Sequence, residues 1–155
     1  MIHRIQQFFS EHIQSRVDDD PRQRERAVRL ATAALLIEVT RADFRVEPAE
    51  RRAVRDAVQE MFGLSPEETD ELVGLAEGEV DASVSLYQFT QLVDRGFSQD
   101  QKRQVIEMMW RVAFADNNKD HNEEYLVRKV ADLLHVPHTA FVRARYNVER
   151  ETGNQ

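Results

Sequence analysis

The sequence of 155 residues contains no cysteine and little glycine or proline, with five glycines and four prolines. Without cysteine the chain forms no disulfide, thiolate metal site or cysteine nucleophile, which favours a reducing compartment. Its longest apolar stretch, near Leu30 to Ile37, is much shorter than the roughly 20 residues of a membrane-spanning helix. The first residues also lack the apolar centre of a signal peptide. We therefore expect a cytoplasmic protein with no transmembrane segment.

An excess of positive charge is also missing, because the formal net charge is −7. This argues against nucleic acid as a partner, since phosphate binding depends on lysine and arginine. One helix start does contain a cluster of arginines, namely Arg22, Arg24, Arg26 and Arg29. Because Glu25 lies among them, we interpret the cluster as a solvated helix face. No phosphate-binding glycine loop or nucleophile motif is present, so we expect a non-enzymatic protein with no catalytic residues and no organic cofactor.

Apolar residues recur at helical spacing almost throughout, which predicts an all-α, single-domain bundle of about eight helices. The first covers about Ile2 to Val17, and the others start near Pro21, Pro48, Ser65, Leu86, Ser98, His121 and Pro137. Two helices, around Leu30 to Val39 and Val105 to Phe114, are apolar nearly all round and should be buried. The patterns of Ser65 with Glu68 and of Ser98 with Gln101 predict helix starts. Gly63 is suited to a left-handed helix end.

We divide the chain into an amphipathic N-terminal helix over residues 1–20, a helical domain over 21–150 and a frayed tail over 151–155. The N-terminal helix would pack on the domain or lie peripherally on a membrane surface, and we favour packing. The helical domain falls into two similar halves, over about residues 27–80 and 81–146, because one pattern occurs in both.

The repeated pattern is an apolar helix that ends in Ala-Asp, with a Glu seven residues later. The first copy is Val39-Thr40-Arg41-Ala42-Asp43 with Glu50, and the second is Val112-Ala113-Phe114-Ala115-Asp116 with Glu123. The two copies are 73 residues apart (116 − 43 and 123 − 50). Two such units related by a pseudo-two-fold axis would bring the four carboxylates together.

Four converging carboxylates predict a divalent cation site formed by Asp43, Glu50, Asp116 and Glu123. An Asp at a helix C-terminus faces the negative end of the helix dipole, and a bound cation would compensate for this. All-oxygen ligands favour Ca²⁺, Mg²⁺ or Mn²⁺ over Zn²⁺.

A second interpretation of the same residues is helix capping, since Glu50 and Glu123 both fall in the first turn of a predicted helix. The stretch Asp116 to Asp120 also resembles the start of an EF-hand loop. The resemblance ends at His121 and Val127, where that loop needs Gly and Glu. A standard EF-hand is therefore not predicted.

With its doubled Ala-Asp pattern on a helical background, the chain resembles the tellurite-resistance TerB-like family between about Ala27 and Tyr146. The resemblance implies a helical bundle of two similar halves, with acidic residues between them that are implicated in divalent metal binding. It assigns that role to the four carboxylates. The chain differs from the family pattern after each Asp, where Phe44 and Asn117 replace the usual Gly.

The resemblance also implies a place in the stress response, as a sensor or scaffold with a protein partner that the sequence does not identify. The alternative is a metal-independent interaction module, similar to a co-chaperone adaptor. The sequence does not indicate the oligomeric state.

Overall fold

The computed structural model describes residues 20–42, 48–83, 85–115 and 121–153, and all regular secondary structure in these ranges is α-helical. The seven helices described are α1 (Pro21–Arg41), α2 (Pro48–Phe62), α3 (Pro66–Ala82), α4 (Tyr87–Gly96), α5 (Gln99–Ala113), α6 (His121–Leu133) and α7 (His138–Gly153). The all-α prediction is confirmed. The helix predicted over about residues 2–17 lies outside the described residues. Helix α7 continues to Gly153, so the first three residues of the stretch assigned to a frayed tail are helical.

The predicted helix starts agree with the local hydrogen bonds. At α3 the Ser65 hydroxyl accepts a hydrogen bond from the Glu68 backbone N–H, and the Glu68 carboxylate accepts one from the Ser65 N–H. Ser98 and Gln101 form the same reciprocal pair at α5. These pairs satisfy backbone donors that have no partner within the helix, which fixes where each helix begins.

Helices α1 and α5 form the centre of the bundle and pack against each other. Leu35, Leu36 and Val39 on α1 are completely buried, as are Met109 and Val112 on α5. Both helices are too apolar to present one face to water, so each must be covered on several sides. The prediction of two buried central helices is therefore confirmed.

The contacts around this centre occur in matched pairs. Helix α1 packs on α2 and α3, and α5 packs correspondingly on α6 and α7. Helix α2 also reaches α5, while α6 reaches α1, so each half of the bundle contacts the central helix of the other. This exchange is the arrangement expected of two similar units about a pseudo-two-fold axis. Helix α4, which has no equivalent in this pairing, packs on α1 and α6.

In the parts of the chain that the structure describes, no helix combines the length and the apolar character that crossing a membrane requires.

Candidate functional site

Glu50 lies in the first turn of α2 and is completely buried, with 0% of its surface exposed. The cause is its position on the apolar stripe of the helix, one turn before Val54 and two turns before Ala57 and Val58, which are also buried. Side chains four and seven residues apart lie on one face of a helix. Because the apolar stripe of α2 packs on the core, Glu50 on the same face is buried with it.

Glu123 occupies the same position on α6 and is 1% exposed. Its stripe contains Val127, Val130 and Ala131, at the same offsets of four, seven and eight residues that Val54, Ala57 and Val58 have from Glu50. The two glutamates are therefore equivalent in burial and in helical register as well as in sequence. The repeat predicted from the sequence extends to the environment of its acidic residues.

Burying a carboxylate removes it from water, and this costs several kcal/mol unless a cation, a proton or hydrogen-bond donors compensate. A glutamate that only caps a helix loses little by staying at the surface, as Glu68 does at the start of α3. The deep burial of Glu50 and Glu123 therefore distinguishes them from an ordinary capping residue.

Asp43 and Asp116 lie outside the described residues, in the segments between α1 and α2 and between α5 and α6. Within the described ranges, no three acidic or histidine side chains come together in a way that would hold a metal ion. The structure thus places two of the four predicted ligands, in equivalent first turns. The convergence of all four stays a prediction.

Ion pairs connect the region around Glu50 to α3. Arg51 lies 3.5 Å from the Glu77 carboxylate, and Arg55 pairs with Asp70, so two arginines of α2 contact α3. Beside them an open cleft of about 540 Å³ extends between α1, α2 and α3. Such exposed pairs contribute little individually, about 0 to 1 kcal/mol, but they hold the start of α2 against its neighbour.

Sequence reasoning missed a third buried acid, Glu79 on α3, which is 3% exposed. Its Oε1 atom accepts a hydrogen bond from Gln88 Nε2 of α4 at 3.3 Å. Burial raises the pKa of Glu79 to about 7, against the smaller opposing effect of that hydrogen bond. The signal was present in the sequence, because Glu79 continues the stripe of Leu72 and Ala76 at helical spacing.

A second missed group joins three elements through Asp94 on α4. Its carboxylate Oδ1 lies 2.6 Å from Lys102 Nζ on α5 and 3.0 Å from His135 Nδ1 after α6. Burial acts to raise the pKa of Asp94, but the hydrogen bonds from Lys102 and His135 together outweigh it and hold the pKa below its usual value. Lys102 is only 7% exposed, so Asp94 supplies the counter-charge to a nearly buried ammonium group.

The described architecture, two interlocked helical units with equivalent buried glutamates, defines a class of duplicated helical domains. A model of one family, described as Tellurite resistance protein TerB, matches residues 29–146. The chain belongs to the TerB family. No curated protein and no solved structure matches it.

Proposed function

We propose that this TerB-family domain binds a divalent cation through Asp43, Glu50, Asp116 and Glu123. The observation that supports the proposal is the equivalent burial of Glu50 and Glu123 in the first turns of α2 and α6. Their carboxylate oxygens are hard ligands, which suit Ca²⁺, Mg²⁺ or Mn²⁺. The two aspartates follow the central helices within three residues in sequence, so the proposal takes all four ligands from the same two junctions.

The proposed cation acts between the two halves of the domain. Glu50 belongs to α2, which packs on the central helix of both halves, and Glu123 belongs to α6, which does the same from the opposite half. An ion shared by ligands from both junctions would oppose their mutual repulsion and hold the halves together. A domain whose stability changes with cation binding would serve as a stress-response sensor or as a scaffold for a protein partner.

We propose a cytoplasmic, non-enzymatic role, in which the ion supports the structure and activates no substrate. The competing role is a metal-independent adaptor module, in which Glu50 and Glu123 satisfy backbone donors at the starts of α2 and α6.

Isothermal titration calorimetry and thermal unfolding of the full chain with Ca²⁺, Mg²⁺ and Mn²⁺ test the proposal. We expect heat of binding and a rise in the melting temperature Tm at millimolar metal or below. Asp116→Ala should abolish both effects. The same substitution should raise Tm in the presence of chelator, because it removes one of four repelling charges.

The matched comparison is between two double variants, each of which replaces two glutamates by glutamine and so makes the same change of net charge. Glu50→Gln with Glu123→Gln should abolish the metal-dependent Tm shift. Glu67→Gln with Glu71→Gln, which alters two exposed glutamates of α3, should preserve it. If no metal produces heat or a Tm shift in the unaltered chain, the cation site is wrong. An equal loss of stability with and without metal in the Glu50 and Glu123 variant would favour the adaptor role.

A further inference from the structure

A second open cleft, of about 520 Å³, lies at the other end of the bundle from the proposed cation site. It is bordered by the start of α1 at Pro21, the ends of α2 and α4, and the first turns of α5. Asp43 follows the opposite end of α1, and 20 helical residues separate the two ends by roughly 30 Å. The cleft is therefore independent of the proposed cation site.

The floor of this cleft is apolar and partly open to water. Met61, Phe62 and Phe97 line it, and all three are only half-buried. The rings of Phe62 and Phe97 lie 6.5 Å apart between centroids. Gly96 contributes to the wall because its missing side chain permits close approach: a Cβ atom there would lie 2.2 Å from Val28 Cγ2. The floor is thus preformed by core packing, with aromatic surface left for a ligand.

The rim carries an excess of positive charge. Arg24, Arg29 and Arg95 line the cleft, together with one acidic residue, Glu25. The Glu25 carboxylate forms an ion pair with Arg29, with 2.6 Å between Oε1 and Nη2. The Cζ atom of the Arg29 guanidinium also lies 5.2 Å from the centroid of the Phe62 ring. Within the described part of the chain, Arg24 and Arg95 form no ion pair. Among the described residues, these two positive charges at the cleft therefore have no ion-pair partner, in a protein whose net charge is −7.

We propose that this arginine-rimmed cleft docks an acidic peptide segment of a partner protein. An aromatic or aliphatic side chain of the segment would pack against Phe62 and Phe97, and flanking carboxylates would bind Arg24 and Arg95. Arginine suits this role because its planar fork of donors matches a carboxylate and stacks on aromatic rings. Because the protein as a whole is negatively charged, the attraction of an acidic segment depends on the local positive charge of the cleft.

The test measures the fluorescence anisotropy of a fluorescein-labelled peptide, Asp-Glu-Phe-Asp-Leu-Glu-Asp, with the full chain. Arg24→Glu with Arg95→Glu should raise the dissociation constant Kd about tenfold or more. Arg52→Glu with Arg143→Glu makes the same change of net charge at two exposed positions outside the cleft, and Kd should change less than about twofold. Circular dichroism establishes that both variants fold.

Two further peptides separate the contributions of charge and apolar packing. Replacing Phe and Leu of the probe by Ser should weaken binding, as should replacing every acidic residue by Lys. No binding of the original peptide to the full chain would overturn the proposal, and so would an equal loss of affinity in both double variants. A cleft-dependent dimer in light scattering, abolished by Arg24→Glu with Arg95→Glu, would identify a second copy as the occupant and would also overturn it.

Discussion

Gly63 and His135 adopt nearly the same left-handed backbone conformation, with φ of 61° and 62°, at the ends of α2 and α6. At each end the next residue donates a hydrogen bond five residues back: Leu64 N to Gln59 O at 3.2 Å, and Val136 N to Ala131 O at 2.9 Å. These bonds satisfy the last carbonyls of both helices. The two halves are therefore similar at the ends of these helices as well as at their starts. The second half, however, has His135 at the left-handed position where the first half has glycine.

The left-handed conformation at His135 should be measurable as strain. A non-glycine residue in this region costs about 1 kcal/mol relative to glycine. Both His135→Gly and His135→Ala remove the bond to Asp94, but only the first removes the strain. We expect His135→Gly to be the more stable of the two by about 1 kcal/mol in urea unfolding. Gly63→Ala should lose a similar amount, since nothing lies within 4 Å of an added Cβ atom there. Equal stability of the two His135 variants would contradict this account.

The fold was predictable because its signals are local. Helix starts depended on short patterns such as Ser65 with Glu68, and the buried central helices on an excess of apolar residues within one segment. The burial of Glu50 and Glu123 was also encoded locally, through their spacing from Val54 and Val127. The convergence of these two glutamates with Asp43 and Asp116 stays a prediction.

Contacts between distant segments were beyond such reasoning. Asp94 and His135 are 41 residues apart in sequence, and they meet only because α4 packs on α6. The arginine-rimmed cleft likewise joins Arg24 to Arg95 through the packing of α4 on α1. From sequence, Arg24 belonged to a solvated helix face, and it is indeed exposed. Its position across from Arg95 required the tertiary structure.

Glu79 should make stability depend on pH near neutrality. Burial raises its pKa to about 7 in the folded protein, from the ordinary 4.5. Between these two values the folded state thus retains a proton that the unfolded chain loses. The contribution of Glu79 to the free energy of unfolding is therefore fully present below pH 4.5 and is lost as the pH rises through about 7. We expect Glu79→Gln to be stabilised relative to the unaltered protein as the pH increases from 5 to 8, by up to about 3 kcal/mol. Denaturant unfolding across this range measures the difference.

The control for Glu79 is Glu71→Gln, which alters an exposed glutamate on the same helix. Its stability difference from the unaltered protein should stay nearly constant between pH 5 and pH 8. A Glu79→Gln variant with the same flat profile would show that the buried carboxyl titrates as it does in the unfolded chain.

The pair of Asp94 and Lys102 should respond unequally to the loss of each partner. The Lys102 side chain is 9% exposed and that of Asp94 is 28% exposed. Asp94→Ala leaves a nearly buried ammonium group without its counter-charge, which should cost about 2 to 3 kcal/mol of unfolding free energy. Lys102→Met fills the same space with an apolar chain and leaves Asp94 with His135 and water, so we expect a change within about 1 kcal/mol. The double variant should be more stable than Asp94→Ala alone, and the reverse order would refute the argument.

Gly96 should tolerate a side chain only if Val28 gives way. An added Cβ atom would lie 2.2 Å from Val28 Cγ2, where the end of α4 packs against α1. Relieving this overlap requires α4 to shift or Val28 to leave its position, and overpacking of this kind costs about 1 to 3 kcal/mol. We expect Gly96→Ala to lower the free energy of unfolding by that amount. Val28→Ala with Gly96→Ala should recover part of the loss, because removal of the valine methyl groups makes room for the new one. Strictly additive losses in the double variant would show that the two residues do not compete for the same space.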